Sequence, residues 1–303
     1  MLFDEATLRK LTRLTLIASQ VRAGRMKGER RSSRKGASLE FADYRDYSPG
    51  DDLRRLDWKA YARLDRAFLK LFEEEEDLAV HILLDGSQSM DWGEGEAHKF
   101  TYALRIAGAL GAIALAEGDQ LSVHLLTSTG SDPNGLLGPL RGAGNTLRLL
   151  RHLEGLQPGL HPGGRPGGET DLAASLRAVA ASRPRPGLVF LISDLLSPTS
   201  FAEGLAAFLR RGSEAVVIQV LAPDELDPPL AGDLRLVDVE TDLYQEVSLD
   251  SGARRLYRQR LGEWQAGLQA AARKYGARWT SLSTAEPWDQ VVQASLWKAG
   301  VLQ

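Results

Sequence analysis

From Leu78 onward, short apolar runs alternate with longer segments of helical periodicity. Runs rich in Val, Ile and Leu predict strands buried on both faces, and the spaced apolar positions between them predict amphipathic helices. Strands are predicted at 78–84, 120–127, 187–193, 214–221, 234–239, 244–249 and 277–282, and helices at 98–116, 145–154, 170–182, 200–211, 252–275 and 287–298. This alternation indicates βαβ units, and therefore an α/β, doubly wound and mostly parallel sheet.

The beginning of the chain does not follow this alternation. Apolar positions at helical spacing predict a helix over 4–21, and weaker patterns predict a short helix at 53–62 and a strand at 67–72. We therefore divide the chain into an N-terminal extension, 1–75, and an α/β domain, 76–303. We expect the extension to pack against the domain.

Composition excludes several classes of protein. The chain has no cysteine, which rules out disulfides, thiolate metal sites and cysteine nucleophiles. Its longest uncharged apolar run, Ile106 to Ala116, is shorter than the ~20 residues of a membrane span. Asp4 and Glu5 near the N-terminus are unlike a signal peptide. We expect a cytoplasmic protein without a membrane span.

Asp85-Gly86-Ser87-Gln88-Ser89 lies between a predicted strand and a predicted helix. A carboxylate and two hydroxyls at alternating positions can converge at the carboxyl end of a strand, where open α/β sheets bind ligands. Small oxygen ligands suit a hard cation such as Mg²⁺, or Mn²⁺. Asp and Ser are also ordinary residues of turns and helix N-caps, so the motif alone does not decide between a metal site and a turn.

Two later residues extend this pattern. Thr170 follows Gly167-Gly168-Glu169 and opens a predicted helix, and Asp194 ends a predicted buried strand. Each has an ordinary structural explanation, an N-cap for Thr170 and a strand-end turn for Asp194. The candidate metal residues are Asp85, Ser87, Ser89, Thr170 and Asp194.

The order D-x-S-x-S, then Thr before a helix, then Asp after a strand resembles the metal-ion-dependent adhesion site of von Willebrand factor A-type domains. All five positions match. The resemblance implies that Asp85 and the two serines approach the metal directly or through water, that Thr170 comes from a second loop, and that Asp194 lies outside the direct ligands. A carboxylate of a partner protein then fills the open coordination position.

A second resemblance precedes this motif. The segment 40–63, EFADYRDYSPGDDLRRLDWKAYAR, is similar to the signature of a bacterial family of A-like proteins called domain of unknown function, number fifty-eight. The match runs from about residue 30 to the C-terminus. Genes of that family often lie beside those of MoxR-type AAA+ ATPases. The resemblance implies an adaptor between such an ATPase and a client protein, whose identity and cellular process the sequence does not specify.

Basic residues are segregated although the net charge is only −3. Candidate partner-binding residues are Arg30, Arg31, Arg34 and Lys35 in the basic run 22–35, and Arg45, Arg54 and Arg63 in the signature segment. The basic run is interpreted as an electrostatic dock for an acidic partner surface, and the signature segment as a partner surface of exposed Arg and aromatic side chains. The alternatives are solvated surface for the run and internal ion pairs for the segment. The net charge is too small to steer the protein toward nucleic acid, and no aromatic residue interleaves the basic run to stack on single-stranded bases, so no nucleic-acid partner is predicted.

Enzyme motifs are absent from the sequence. There is no G-x-x-x-x-G-K-[ST] phosphate loop and no G-x-S-x-G serine motif. Ser87 also stands where a haloacid-dehalogenase-type phosphatase needs a second Asp. We therefore predict a binding protein with no catalytic residues, and keep as the alternative a Mg²⁺-dependent hydrolase using Asp85 and Asp194.

Overall fold

The computed structural model describes residues 2–18, 40–48, 56–64, 66–73, 78–127, 130–131, 135–159, 170–197, 199–229, 232–237 and 244–302. The chain forms two compact units, one of Met1–Lys27 with Leu78–Gln303 and the other of Gly28–Asp77. The N-terminal helix, expected within the extension, therefore belongs to the unit that contains the large sheet.

The second unit contains a β-hairpin and a short helix. Strands β1 (Glu40–Asp46) and β2 (Phe68–Glu73) pair antiparallel, and helix α2 (Trp58–Leu64) lies between them in sequence. Asp57 Oδ1 accepts hydrogen bonds from the backbone N–H groups of Lys59 and Ala60, at 2.9 and 3.1 Å, and so fixes the start of α2. Residues 53–55 of the predicted helix 53–62 lie outside the described residues, and Leu56 forms a β-bridge with Leu69 of β2, so the observed helix begins at Trp58.

The large sheet of the first unit consists of β3 (Ala79–Asp85), β4 (Gln120–Thr127), β5 (Gly130–Ser131), β6 (Leu137–Arg141), β7 (Leu188–Ser193), β8 (Glu214–Leu221) and β11 (Arg278–Ser283). Its strand order is β11-β8-β7-β3-β4, and β5 and β6 both pair with β4. The five-strand core is parallel, whereas β5 and β6 run antiparallel to β4. The predicted α/β class with a mostly parallel sheet is confirmed.

Helices cover both faces of this sheet. They are α1 (Glu5–Leu11), α3 (Lys99–Ala116), α4 (Thr146–Glu154), α5 (Leu172–Ala181), α6 (Phe201–Leu209), α7 (Pro223–Leu226) and α8 (Ser251–Lys274). Apolar residues of α1, α3 and α4 form the core on one face, and those of α5, α6 and the end of α8 form the core on the other. Every residue of β3 and β7 is buried, as expected for parallel strands covered on both sides.

One helix in the described part of the chain, α3, is long and apolar enough to cross a membrane. Most of its residues are buried inside the first unit, against β3, β4 and α4. A core helix of a soluble protein meets the same criterion of length and composition, so this finding does not by itself indicate a membrane span.

The segment after α1 is hydrogen-bonded to the C-terminal segment in the first unit. Helix α1 stops at Leu11, well before the predicted end at residue 21, and Leu16 then forms a β-bridge with Leu302. The N–H of Ile17 donates to the carbonyl of Val301 at 2.9 Å. Pairing with the C-terminus therefore replaces the helical hydrogen bonds that the periodicity of Leu14 and Ile17 had suggested.

After β8 the chain forms an antiparallel hairpin, β9 (Gly232–Val237) with β10 (Tyr244–Leu249). The predicted C-terminal helix 287–298 is present in three parts, α9 (Trp288–Gln290), a π-helical turn (Val291–Ser295) and α10 (Leu296–Lys298). Strands β5 and β6 were not predicted, because their short Gly- and Pro-containing sequences lack the alternation of longer strands.

Candidate metal centre

Asp85 is the last residue of β3, the strand at which the order of the sheet reverses. Strand β3 pairs with β4 on one side and with β7 on the other. The connections from these strands diverge at their carboxyl ends, which creates the crevice where open α/β sheets hold ligands. Asp85 lies at this position and is 3% exposed.

The turn after Asp85 brings two hydroxyls together. Asp85 Oδ1 accepts a hydrogen bond from the N–H of Ser87 at 2.9 Å, and Ser87 Oγ lies 3.0 Å from Ser89 Oγ. Met90, fully buried, fixes the end of the turn in the core. The D-x-S-x-S sequence therefore forms a local turn and also places its three oxygen-bearing side chains close together.

Gly86 is required at this turn by close packing against β4. A Cβ added to Gly86 would lie 2.8 Å from Leu125 Cδ1 and 3.0 Å from the carbonyl oxygen of Leu126. The Gly86 N–H also donates to that carbonyl at 2.9 Å. Any larger residue would move the turn away from β4.

Ser193, at the end of β7, supports Asp85 from the neighbouring strand. The Ser193 hydroxyl donates to Asp85 Oδ2 in a short hydrogen bond, and the N–H of Leu195 donates to Ser193 Oγ at 2.8 Å. Leu195 is buried with a positive φ of 64°, an unfavourable conformation for a large non-glycine residue. Such strain is typical of functional sites, where the surrounding structure holds it in place.

Asp194 is buried and is paired with a lysine. Its Oδ1 accepts the N–H of Leu196 at 3.0 Å, and its Oδ2 lies 2.7 Å from Nζ of Lys99. Lys99 is the first residue of α3 and is completely buried. The same ammonium lies 2.7 Å from Glu225 Oε1 of α7.

The buried charged groups at this end of the sheet shift one another's pKa values. Burial, and then the negative charge of Asp194, raise the pKa of Asp85 from 3.8 to about 6, against the opposing effect of its hydrogen bonds from Ser193 and Ser87. Burial lowers the pKa of Lys99, but Asp194 and Glu225 raise it, and the net result lies above the ordinary lysine value. Lys99 is therefore a buried cation at neutral pH.

Thr170 lies at the entrance to α5 and is 6% exposed. Its carbonyl accepts a hydrogen bond from the Ser197 hydroxyl at 2.9 Å, which joins the start of α5 to the loop after β7. The N-cap of α5 is Asp171, whose Oδ1 accepts the N–H of Ala174 at 2.8 Å. The N-cap explanation for Thr170 is therefore wrong.

The donor set fits a hard cation. In the described ranges, no group of three or more His, Cys, Asp or Glu side chains is arranged to hold a metal. The candidate ligands are instead one carboxylate, Asp85, and the hydroxyls of Ser87, Ser89 and Thr170, and oxygen ligands of this kind suit Mg²⁺ and Mn²⁺. Asp85 Oδ1 accepts the N–H of Ser87 and Oδ2 accepts the Ser193 hydroxyl, and a carboxylate oxygen has a further lone pair with which to bind a metal.

The candidate partner-binding residues lie mostly outside this description. Arg30, Arg31, Arg34, Lys35 and Arg54 are outside the described residues. Arg45 belongs to β1, where it stands opposite Leu69, and Arg63 is exposed on α2. Their predicted role in partner binding stays a prediction.

Comparison with known families agrees with the signature segment. The family model described as Protein of unknown function DUF58 matches residues 43–266. The chain belongs to the DUF58 family. The predicted family is thereby confirmed, and the match covers the second half of β1, the whole crevice around Asp85 and most of α8.

Individual relatives of this DUF58 chain give little functional detail. The uncharacterized protein Mb1516 of Mycobacterium bovis is 28% identical over 278 residues, which cover 92% of this chain and 85% of that protein. Among solved structures, the conserved hypothetical protein BatB from Bacteroides thetaiotaomicron is 16% identical with a TM-score of 0.43, covering 74% of this chain and 98% of that one. Manganese-loaded TRAP protein of Plasmodium vivax is 15% identical with a TM-score of 0.40, covering 75% of each chain. These scores are too low to support a conclusion about this DUF58 chain.

Three residues of the site were not predicted from the sequence. Ser193 ends an apolar run, Glu225 lies in a short polar helix, and Lys99 opens an apolar helix. Of these three residues, only Lys99 could have been identified from the sequence, because a cation in the first turn of a helix opposes the helix dipole and needs a partner. The partners, Asp194 and Glu225, are 95 and 126 residues away in sequence.

Proposed function

We propose that this chain is a non-catalytic protein-binding protein whose binding site depends on a divalent cation, Mg²⁺ or Mn²⁺. The observation that carries the proposal is the cluster formed by the buried Asp85 carboxylate and the Ser87 and Ser89 hydroxyls, which lie 3.0 Å apart, at the reversal point of the sheet. A hard cation is the ligand that such a cluster suits best.

When bound, the cation supplies an electrophile for a carboxylate of a partner. The residues of the chain hold and orient the donors around it. Ser193 and the N–H of Ser87 fix the Asp85 carboxylate, and Gly86 allows the turn to lie against β4. Thr170 is the proposed ligand from a second loop, which Ser197 joins to the end of β7.

The proposed partners are a MoxR-type AAA+ ATPase and a client protein. Support comes from the family resemblance of the signature segment and from the absence of a phosphate loop in the chain, which leaves any nucleotide hydrolysis to another protein. We propose that this adaptor works in the cytoplasm, as expected from the sequence.

The alternative is a Mg²⁺-dependent hydrolase using Asp85 and Asp194, and the hydrogen bonds of Asp194 bear on whether it is free to act as a base. A base must be free to accept a proton from water or substrate. Asp194 already accepts hydrogen bonds from Lys99 and from the N–H of Leu196. This arrangement favours binding over catalysis, and turnover measurements provide the direct comparison.

Binding to the purified MoxR-type ATPase of the same organism tests the proposal. We expect a complex in Mg²⁺ that is lost with a chelator and in Asp85→Ala. The control Glu203→Ala, which removes an exposed acid from α6, should leave the complex intact. Binding that is unaffected by chelator and by Asp85→Ala would contradict the proposal. Metal-dependent hydrolysis lost in both Asp85→Ala and Asp194→Ala would instead support the hydrolase.

A further inference from the structure

Lys99 occupies a position that is unfavourable for a lysine in two respects. It is completely buried, although lysine is almost never fully buried without a partner. It also begins an 18-residue helix, where the positive end of the helix dipole disfavours a cation. Its N–H donates to the carbonyl of Trp92 at 2.8 Å, so its backbone is anchored just after the D-x-S-x-S turn.

The ammonium of Lys99 is shared between two carboxylates from different elements. Nζ lies 2.7 Å from Asp194 Oδ2, after β7, and 2.7 Å from Glu225 Oε1, on α7. Glu225 is itself fixed, because its Oε2 accepts the N–H of Ala222 at 2.7 Å. The lysine is therefore held between rigid acceptors.

The ion pair with Lys99 determines how much negative charge Asp194 contributes to the metal centre. Both Asp194 oxygens accept hydrogen bonds, one from Leu196 and one from Lys99, and the ammonium offsets the negative charge of the carboxylate. Within the described ranges, Asp85 accepts hydrogen bonds from neutral donors, the Ser193 hydroxyl and Ser87. Among the residues that the structure describes, Asp194 has a hydrogen-bonded cation, Lys99, and Asp85 has none.

We infer that Lys99 is a positioning residue that holds Asp194 as a neutralised carboxylate and so limits the charge of the metal site to that of Asp85. The inference rests on the proposed function. A site with one uncompensated carboxylate binds a divalent cation weakly and leaves it with unsatisfied positive charge. That residual charge favours an acidic group of a partner as the additional ligand.

Calorimetric titration of Mn²⁺ into the purified full-length protein measures the Kd and tests the inference. Lys99→Met should lower the Kd for Mn²⁺ by at least about tenfold, because removing a cation from a buried site lets Asp194 contribute its full charge. The double variant Lys99→Met/Asp194→Asn removes both charges of the pair. Its Kd should return to within about threefold of the wild-type value, as expected for directly coupled residues.

Glu225→Gln tests the same idea with the opposite sign and a milder change. With Glu225 neutral, the Lys99 charge acts on Asp194 and the metal site alone, so the Kd for Mn²⁺ should rise by about three- to fivefold. Asp224→Asn is the matched control, since it removes one acid from the adjacent, exposed position of α7. It should leave the Kd unchanged.

A merely structural role of Lys99 would not move the Kd in opposite directions in these variants. If the wild type binds Mn²⁺ and Lys99→Met binds it equally or more weakly, the inference is overturned and the proposed function stands. If Lys99→Met fails to fold, Glu225→Gln decides, and an unchanged Kd overturns the inference. If no variant and no wild-type protein binds Mn²⁺, the inference and the proposed metal dependence fall together.

Discussion

Asp85 is a buried carboxylate at the end of β3, and among the described residues no cation is hydrogen-bonded to it. Its pKa, raised to about 6 by burial and by Asp194, means that ionisation destabilises the metal-free fold. This is the behaviour expected of a ligand arranged for a cation rather than for stability, since perturbed groups concentrate at functional sites.

Replacing Asp85 by Asn should therefore stabilise the metal-free protein at neutral pH. The folded-state pKa lies above the unfolded value, so the stability contributed by protonated Asp85 is complete below pH 3.8 and is lost as the pH rises through about 6. We expect Asp85→Asn to exceed the wild type by up to about 3 kcal/mol at about pH 8 in chelator, and to match it near pH 4. Urea unfolding at both pH values measures this difference. Equal pH dependence in the two proteins would contradict the assignment.

His124 should change the dependence of stability on pH in the direction opposite to Asp85. Burial, and then the nearby His81, lower the pKa of His124 from 6.5 to about 4. The neutral ring is favoured in the folded state, so this stability is complete above pH 6.5 and is lost as the pH falls toward 4. His124→Asn should remove about 2 kcal/mol of the pH dependence between pH 7 and pH 5. Denaturant unfolding of the two proteins at these pH values tests it, and an unaltered slope with pH would refute it.

At the residue level, the positions of single residues could be predicted from the local sequence, but contacts between distant residues could not. Asp85 and Asp194 were expected at strand ends because each follows an apolar run, and both lie there. The ion pair of Asp194 with Lys99 was not predicted, because it depends on the tertiary approach of β7 and α3. Hydrogen bonds between residues about 100 positions apart leave no periodic signal in the sequence.

At the level of elements, the turn between β3 and α3 depends on Gly86. Gly86→Ala should destabilise the protein by about 1–3 kcal/mol, because the added methyl group overlaps Leu125 and the Leu126 carbonyl. It should also weaken metal binding by shifting Ser87 and Ser89. Thermal unfolding and Mn²⁺ titration measure the two effects.

Gly144 supplies the matched control for that substitution. A Cβ added at Gly144 would meet no atom within 4 Å, so Gly144→Ala should change neither quantity appreciably. Equal effects of the two substitutions would show that packing at Gly86 is unimportant.

Elements with strong periodicity were predicted close to their observed bounds, and weakly patterned ones were not. Strand β4 is observed at Gln120–Thr127, as predicted, and α8 at Ser251–Lys274 against a predicted 252–275. Helix α1 is much shorter than predicted because its continuation pairs with the C-terminus. Tertiary pairing overrode a local helical pattern there, which no sequence window can reveal.

At the scale of the whole molecule, we expect the contact between the segments around Leu16 and Leu302 to stabilise the first unit. Leu16 and Leu302 are almost completely buried and form a β-bridge. Leu302→Ala should destabilise the protein by about 2–5 kcal/mol, as for other buried leucines. Leu256→Ala, at a position 54% exposed on α8, should change stability by less than about 0.5 kcal/mol. Similar unfolding midpoints for both variants would contradict a stabilising role for the C-terminus.

The α/β class followed from the alternation of strands and helices, because right-handed βαβ units leave few other topologies. The division into two compact units did not follow from it. The helical pattern near residue 8 resembled part of an extension, whereas α1 packs on α3 and joins the core of the large sheet.

The central claim is that Asp85 and its neighbours bind a divalent cation, and calorimetric titration with Mn²⁺ and Mg²⁺ tests it most directly. We predict saturable binding by the wild-type protein, with a rise in its melting temperature because only the folded state binds. Asp85→Ala should remain folded, bind neither ion and show no thermal shift. Equal metal binding by the wild type and Asp85→Ala would contradict the account.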